Sequence, residues 1–200
     1  MITSGQKIAV LILAAGNSSR MGQAKQLLPW KGTSLLNHAI GLAKKVTNDV
    51  FVALGARKEA ISSSLKPKPK IIINENWEKG MGSTIAVGVS ELKKKYAYDA
   101  ILIMLSDQPL LGENHLEKLI STFVSSKKKI VATSYENKNG VPAIFHSALY
   151  DELIRLDADY GARKLMQKHS KDTVGVIPTG NPTDIDTLET YYKLITQKNK

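Results

Sequence analysis

A stretch rich in glycine, serine and basic residues follows the first strongly apolar segment of the chain. The apolar run is Ile8–Leu13, and the polar stretch extends from Ala14 to about Thr33, with Arg20 and Lys25 inside it. Small residues let a backbone approach a ligand closely, and exposed amides together with fixed positive charge can hold phosphate oxygens. The stretch lacks the Gly-Lys-Ser/Thr ending of a Walker loop and the Gly-x-Gly-x-x-Gly pattern of dinucleotide-binding loops. It therefore predicts a phosphate-binding loop of another kind, with a flexible surface loop as the alternative.

A second position that could do chemistry is Asp107, which follows Ser106 at the end of the buried strand predicted over residues 99–105. A carboxylate at the tip of a buried strand is either a helix cap or a metal ligand, and Asp107 is too far from the helix expected near Glu113 to cap it. Mg²⁺ binds one or two carboxylates together with substrate phosphates, so Asp107 suits that role. Asp184 or Asp186 could supply the second carboxylate, unless one of them caps the last predicted helix.

Other kinds of catalytic site find no support in the sequence. The chain has no cysteine, which excludes disulfides, thiolate metal sites and cysteine nucleophiles. It has no Gly-x-Ser-x-Gly elbow, and its four histidines lack the spacing of metal ligands, so we interpret them as surface or structural residues. Trp77 could stack on a nucleotide base, although a packing role is favoured.

The composition is that of a globular protein. The 200 residues are 42% hydrophobic and 23% charged, and 28 Lys and Arg against 18 Asp and Glu give a net charge of +10. We interpret the short lysine clusters as solvated surface, although a basic chain can also bind nucleic acid, acidic membranes or phosphorylated small molecules. No apolar run approaches the length of a membrane span, and the first apolar run fits a buried strand better than a secretory signal. We therefore expect a cytoplasmic protein with no membrane partner.

Strand-like and helix-like segments alternate along the chain, which predicts an α/β fold with a mostly parallel sheet. Ser34 is expected to cap a helix that runs to about Val46. In open parallel sheets ligands bind at the carboxyl ends of the strands, near a switch in strand order, so the first loop and Asp107 should meet at one edge. Residues 135–183 break the alternation, and we expect them to form an insertion or subdomain beside the sheet within a single domain, 1–200.

Five ordered motifs, spanning about residues 8–195, resemble those of one enzyme family. They are Leu13–Gly22 (LAAGNSSRMG) with Lys25, Gly80–Thr84 (GMGST), Leu105–Pro109 (LSDQP), Asp159–Arg163 (DYGAR) and Asp184–Thr187 (DIDT). The pattern is similar to that of the molybdopterin guanylyl- and cytidylyltransferase group of nucleotidyltransferases. The second, fourth and fifth motifs favour the molybdenum cofactor cytidylyltransferase branch.

The resemblance implies a Rossmann-like three-layer sandwich of the nucleotide-diphospho-sugar transferase type. It implies that CMP is transferred from CTP to the phosphate of molybdopterin, or of its molybdenum form, with release of pyrophosphate and dependence on Mg²⁺. It also implies that the insertion faces the acceptor, and that a molybdenum hydroxylase is the client of the product.

Roles for individual residues follow from the same resemblance. The catalytic residues would be Arg20, Lys25 and Asp107. The nucleotide would be bound by Leu13, Ala14, Ala15, Gly16, Arg20, Lys25, Gly80, Gly82 and Ser83. The metal would be held by Asp107 and Asp186. The acceptor would be bound by Gly140, Pro142, Asp159, Gly161 and Arg163.

Other functions stay open on the sequence alone. A molybdopterin guanylyltransferase, or a cytidylyl- or uridylyltransferase acting on a sugar or alcohol phosphate, would share the first loop. A nucleotide- or RNA-binding module without turnover would suit the positive charge. The two acidic segments at strand ends would repel nucleic acid, so we expect no nucleic-acid partner.

Overall fold

Strands and helices alternate along the part of the chain that the computed structural model describes, residues 5–136, 138–157 and 161–196. The strands are β1 (Ile8–Ala14), β2 (Pro29–Trp30), β3 (Thr33–Ser34), β4 (Val50–Leu54), β5 (Lys70–Ile73), β6 (Ala100–Leu105), β7 (Ile130–Tyr135), β8 (Lys138–His146) and β9 (Thr173–Val176). The α-helices are α1 (Leu35–Val46), α2 (Lys58–Ser64), α3 (Met81–Lys95), α4 (Glu113–Ser126), α5 (Tyr150–Ile154), α6 (Arg163–Lys168) and α7 (Leu188–Thr196). Among these described helices, none is both long enough and apolar enough to cross a membrane.

One sheet organises the molecule, with the strand order β5-β4-β1-β6-β8-β7-β9. Strands β5, β4, β1 and β6 are parallel, and β8 runs antiparallel to both of its neighbours, β6 and β7. The chain leaves β1 towards β4 on one side and later reaches β6 on the other. The strand order therefore reverses at β1, and the carboxyl end of β1 is the place where an open sheet of this kind binds its ligands.

Helices cover both faces of the sheet, which explains why the first strand is apolar at every position. Successive side chains of a strand point to opposite faces. Val10 and Ile12 pack in a cluster with residues of α1, α2 and α4, whereas Leu11 and Leu13 pack in a second cluster with residues of α3, α5 and α6. The predicted three-layer α/β sandwich with a mostly parallel sheet is confirmed.

The helix predicted after the first loop is present and begins with the expected cap. The hydroxyl oxygen of Ser34 accepts a hydrogen bond from the backbone amide of Asn37 at 3.2 Å. This contact satisfies one of the amides that the first turn of a helix leaves without a partner. The following segment, α1, then buries Leu36 and Ile40 against β1 and β4.

Two expectations about the arrangement are wrong. The described part of residues 135–183 is not a separate unit beside the sheet, because it supplies two strands of that sheet: β8 is inserted between β6 and β7, and β9 forms an edge. The stretch after β1 is not a continuous loop either. It contains the two-stranded ribbon of β2 and β3, which buries Trp30. Both departures depend on pairing between distant or very short segments, which local periodicity does not reveal.

The ribbon is packed against the last helix of the described chain. Trp30 lies in a third apolar cluster with Ile185 and Tyr191, and the Tyr191 hydroxyl donates a hydrogen bond to the Pro29 carbonyl at 2.7 Å. The segment that precedes α7 is thereby held next to the loop that follows β1.

A buried histidine links α4 to β7 and predicts a dependence of stability on pH. Thr133 donates its hydroxyl proton to the Pro142 carbonyl at 2.7 Å, so His115, 2.8 Å away through Nε2, must donate its own proton to the Thr133 oxygen. His115 is fully buried, and burial lowers its pKa. The unfolded chain therefore takes up the proton first, and we expect the free energy of unfolding to fall as the pH drops below about 6.5.

This dependence is measured by urea denaturation between pH 8 and pH 5. We expect the His115→Gln variant to lose less stability over that interval than the wild-type protein, whatever the difference between them at pH 8. Equal losses in the two proteins would contradict the assignment of the proton to His115.

Candidate active site

The loop after β1 is folded back onto the strand by a buried glutamine. Gln26 is 1% exposed, and its Nε2 donates hydrogen bonds to the carbonyls of Ala14, at 3.0 Å, and Gly16, at 2.9 Å. Ser18 has a positive φ of 56°, and its hydroxyl accepts a hydrogen bond from the backbone amide of Lys25 at 3.2 Å. These contacts fix the backbone at Lys25 next to the carboxyl end of β1.

Asp107 lies just after the end of β6, and a backbone hydrogen bond holds the segment that carries a second carboxylate, Asp186, next to it. Asp107 is buried, and its main-chain carbonyl accepts a hydrogen bond from the amide of Ile185 at 2.9 Å. Ile185 is fully buried in the cluster with Trp30. Asp186 is therefore brought to the same edge of the sheet by its apolar neighbour and by the last helix.

Three separate segments meet at the ammonium group of Lys25. Its Nζ contacts Asp107 Oδ2 and lies 3.1 Å from Asp186 Oδ1. Arg20 Nη1 is 3.5 Å from Asp186 Oδ2, at a more exposed position. The structure thus brings together Arg20, Lys25, Asp107 and Asp186, the residues to which the sequence analysis gave catalytic and metal-binding roles, next to the carboxyl ends of β1 and β6.

Lys25 keeps its charge in this environment. Burial on its own lowers the pKa of Lys25, but the charges and hydrogen bonds of Asp107 and Asp186 outweigh that effect and raise the pKa above its ordinary value. The contact is therefore an ion pair rather than a neutral hydrogen bond.

The sequence left open whether Asp184 or Asp186 supplies the second carboxylate, and the two residues differ in their contacts with Lys25. Asp186 contacts the ammonium group, whereas Asp184 lies on the side of Gln108. Although more than a third of Asp184 is exposed, desolvation of its carboxyl group, followed by the charge of Asp107, raises its pKa.

A cleft of about 560 Å³ opens between the first loop, the start of α3 and the end of β6. Its lining includes eight of the predicted site residues, namely Leu13, Ala14, Ala15, Gly16, Arg20, Lys25, Gly80 and Asp107. Gln26, Trp77, Met81 and Thr84 also line it. A cleft of this size is adequate for a nucleotide.

The start of α3 is fixed by a buried asparagine that the sequence analysis missed. Asn74 is fully buried, and its Nδ2 donates to Ser83 Oγ at 2.8 Å and to Thr84 Oγ1 at 3.0 Å. Ser83 in turn donates to the Asn76 carbonyl at 2.9 Å. The hydroxyl of Ser83 is thus engaged inside the protein, and Ser83 and the buried Gly82 are not among the residues that line the cleft.

Trp77 both packs and faces the cleft. A Cβ atom at Gly55 would lie 2.4 Å from Trp77 Cβ and 2.9 Å from the Ala15 carbonyl, so only glycine fits between the first loop and Trp77. Gly55, which follows β4, therefore allows Trp77 to approach the first loop.

Comparison with known proteins identifies the kind of domain that carries this cleft. The family described as "MobA-like NTP transferase domain" matches residues 10–174, which include most of β1, the first loop, β6 and the segment after β6 that carries Asp107. The chain belongs to the MobA-like NTP transferase family. It is therefore a nucleotidyltransferase, and the cleft described above is the candidate active site of such an enzyme.

Relatives of this MobA-like chain cover nearly its whole length. It is 30% identical to "Purine catabolism protein PucB" of Bacillus subtilis over 193 residues, which is 90% of this chain and 92% of that protein. It is 27% identical over 196 residues to "Nicotine blue oxidoreductase" of Paenarthrobacter nicotinovorans, with 92% and 95% of the two chains covered.

Solved structures show the same fold. The crystal structure of Rv0371c from Mycobacterium tuberculosis has a TM-score of 0.82 and 27% identity, covering 96% of this chain and 98% of that chain. A second structure of Rv0371c, described as a complex with manganese, has a TM-score of 0.77 and 25% identity, covering 95% and 98%.

The predicted acceptor residues of the MobA-like chain are only partly brought together. Gly140 lies against the ring of Tyr135, where a Cβ atom would be 3.0 Å from Cε2. The Tyr135 hydroxyl donates to the Val141 carbonyl, which precedes Pro142 in a cis peptide, and accepts from Gln108 Nε2 at 3.0 Å. Gly140 and Pro142 are therefore connected to the segment that carries Asp107.

The remaining acceptor residues lie elsewhere. Gly161, with a φ of 52°, packs over α3, where a Cβ atom would be 3.0 Å from Met81 Sδ. Arg163 lines a separate groove of about 390 Å³ together with Ser134 and Asn139. Asp159 lies outside the described residues.

The role of Gln26 in holding the first loop can be measured. Gln26→Met keeps the volume of the side chain but leaves the Ala14 and Gly16 carbonyls without their donor, so we expect the free energy of unfolding to fall by about 1–3 kcal/mol. Gln23→Met, at an exposed position of the same loop, is the matched control and is expected to change stability by less than about 0.5 kcal/mol. Urea denaturation of the three proteins distinguishes them, and equal midpoints and slopes for the two variants would contradict the assignment.

Proposed function

We propose that this MobA-like chain, acting as one nucleotidyltransferase domain, transfers CMP from CTP to the phosphate of molybdopterin or of its molybdenum form. The observation that carries nucleotidyl transfer at this place is the contact of Lys25 with Asp107 and Asp186 at the mouth of a glycine-lined cleft. The choice of CTP and of a pterin acceptor is supported by the motif resemblance.

The charged residues of the cleft suit a triphosphate. The small residues from Ala14 to Gly16 let phosphates approach the backbone, while Arg20 and Lys25 offer positive charge from the same loop. Gly80, whose φ is 95°, faces the cleft at the start of α3 and would contact the base or ribose. Gly82 and Ser83 would act by holding that turn in place.

The residues present also fit a divalent cation. Asp107 Oδ1 is buried and has no hydrogen-bond partner among the described residues, and carboxylate oxygens are the ligands that Mg²⁺ prefers. Within those residues, no group of three or more His, Cys, Asp or Glu side chains could hold a metal. Asp107 and Asp186 would therefore hold Mg²⁺ jointly with phosphate oxygens and water, and the manganese complex of Rv0371c supports a divalent cation at such a site.

The reaction requires orientation and charge neutralisation more than a base. A phosphate monoester has a second pKa of about 6, so the acceptor is already an anion near neutral pH. One of its oxygens forms a bond to the α-phosphorus of CTP, and the bond to the β-phosphate oxygen breaks to release pyrophosphate. Arg20 and Lys25 hold the negatively charged phosphates in line for this displacement. When bound, Mg²⁺ neutralises charge on the α-phosphate and on the leaving pyrophosphate.

The acceptor would enter from the side of β7 and β8. Gly140 and Pro142 are linked through Tyr135 to Gln108, the neighbour of Asp107, which supports an acceptor site next to that segment. Arg163 lines a groove with Ser134 and Asn139 of these strands, whereas Gly161 and Asp159 are assigned to the acceptor by the motif resemblance alone.

The test is an assay of pyrophosphate release with each of CTP, GTP, UTP and ATP in the presence of Mg²⁺. Each nucleotide is combined with molybdopterin, with a sugar phosphate, with an alcohol phosphate or with no acceptor. We expect release to require CTP, Mg²⁺ and molybdopterin, and the pterin product to carry CMP by mass spectrometry.

Any other outcome of this assay would contradict the proposal. Release with GTP and molybdopterin would make the enzyme a guanylyltransferase, and release with a sugar or alcohol phosphate alone would assign it to another acceptor. Absence of release under every combination would overturn the proposed reaction.

A further inference from the structure

Lys25 occupies the space between the two carboxylates that are proposed to hold the cation. Its side chain is 18% exposed and that of Asp107 is 10% exposed, so this is not a solvated surface pair of negligible strength. The backbone amide of Lys25 donates a hydrogen bond to the Ser18 hydroxyl. The side chain of the next residue, Gln26, donates hydrogen bonds to the carbonyls of Ala14 in β1 and Gly16 in the loop. These contacts fix the backbone at Lys25, and the side chain then places its ammonium group between Asp107 and Asp186.

The charges at this place are not balanced by Lys25. Two carboxylates share one ammonium group, and Asp107 Oδ1 is left without a partner in the described part of the chain. Among the described residues, Arg20 pairs with Asp186, and its side chain is 74% exposed. The acidic pair consequently attracts further positive charge, but a dication at contact distance from the Lys25 ammonium would meet strong repulsion in this partly buried setting.

We propose that Lys25 is an internal counter-cation. In the nucleotide-free enzyme its ammonium group occupies the space between Asp107 and Asp186. When a nucleoside triphosphate binds, the ammonium group turns to the phosphate oxygens and leaves the two carboxylates free to bind a divalent cation. This inference rests on the proposed function, because it requires a triphosphate in the cleft. It assigns Lys25 a second role, in which it makes the binding of a divalent cation depend on the nucleotide.

The side chain is suited to this exchange. Lysine carries a compact charge on a flexible four-carbon stem, so its ammonium group can move while the backbone stays fixed. Lys25 itself lines the cleft, so the ammonium group stays on one side of the same cavity when it turns from the carboxylates to the phosphates. By reciprocity, the cation and the nucleotide must then strengthen the binding of each other by the same factor.

The test is the affinity for Mn²⁺, measured by electron paramagnetic resonance and by calorimetry without any nucleotide. We expect Lys25→Gln to bind Mn²⁺ about tenfold more tightly than the wild-type enzyme or better, because the competing cation is gone. Lys31→Gln removes the same charge from an exposed position that is not among the residues lining the cleft. It is the matched control, and we expect it to change the affinity by less than about threefold.

A second measurement uses the wild-type enzyme and needs no variant. Addition of a non-hydrolysable CTP analogue should tighten the binding of Mn²⁺ about tenfold or more, and the same analogue should have a smaller effect on Lys25→Gln. Thermal melting verifies that the variants are folded. If Lys25→Gln fails to fold, the effect of the CTP analogue on the Mn²⁺ affinity of the wild-type enzyme is the deciding measurement.

The outcomes separate this inference from the proposed function. Mn²⁺ binding that is no tighter in folded Lys25→Gln, or that is unaffected by the nucleotide in the wild-type enzyme, overturns the role of Lys25 as counter-cation. Tighter Mn²⁺ binding in Lys25→Gln without any nucleotidyl transfer by the wild-type enzyme would support the counter-cation and overturn the reaction.

Discussion

An Asp107→Asn enzyme should turn over at least about 100-fold more slowly than the wild-type enzyme while keeping its fold. Asparagine retains the shape of aspartate but removes the negative charge that contacts Lys25 and that is proposed to hold Mg²⁺. The fold is spared because the bond from Ile185 goes to the main-chain carbonyl of Asp107, which the substitution leaves unchanged.

The measurement is kcat with CTP, Mg²⁺ and acceptor, together with a thermal melt of each protein. The matched control is Asp49→Asn, which removes the same charge directly before β4, at the opposite edge of the sheet, and should leave kcat unchanged. A folded Asp107→Asn enzyme with a kcat near that of the wild-type enzyme would remove Asp107 from the reaction.

The parts of the site that could be predicted from the sequence are those that follow buried strands. The runs over Ile8–Leu13 and Ala100–Leu105 are apolar at every position because helices cover both faces of β1 and β6. Once two strands are parallel neighbours, the residues after them must lie at the same edge. The order of residues along the sequence therefore predicts that Lys25 and Asp107 lie together.

The residues that the sequence did not reveal are polar groups that bind the backbone or other buried polar atoms. Gln26 and Asn74 are fully or almost fully buried and hold the two loops of the cleft through hydrogen bonds to carbonyls and hydroxyls. No spacing rule marks such residues, because their partners are set by the fold of the loop. A polar residue within a glycine-rich ligand loop is the one local signal that would have drawn attention to Gln26.

The position of β8 could not be predicted for a different reason. Its apolar residues give the pattern of a strand, and β7 is its neighbour in the chain, but its place beside β6 depends on an antiparallel pairing between segments far apart in the chain. The pairings of β8 with these two strands bring Gly140 and Pro142 close to Gln108, whereas Arg163 lines another groove. The roles of these acceptor residues stay predictions.

Loss of the Lys25 charge should lower kcat/KM for the nucleotide about 100-fold, even though the same change is expected to tighten the binding of Mn²⁺. In Lys25→Gln the triphosphate loses a partly buried cation that faces it from the first loop. The two expected effects have opposite signs, so weak metal binding could not account for the loss of activity. Because the carboxylates raise the pKa of Lys25 above its ordinary value near 10.5, its charge should not limit activity between pH 7 and pH 9.

Steady-state kinetics at saturating Mg²⁺ check this expectation against two further variants. Lys25→Arg keeps the charge and should recover part of the lost kcat/KM, although a planar guanidinium fits the carboxylates differently. Lys31→Gln removes an exposed charge that is not among the residues lining the cleft, and it should leave kcat/KM unchanged. If Lys25→Gln retained the kinetics of the wild-type enzyme, the ammonium group would only balance Asp107 and Asp186, and the phosphates would have to be held by Arg20 and the loop amides.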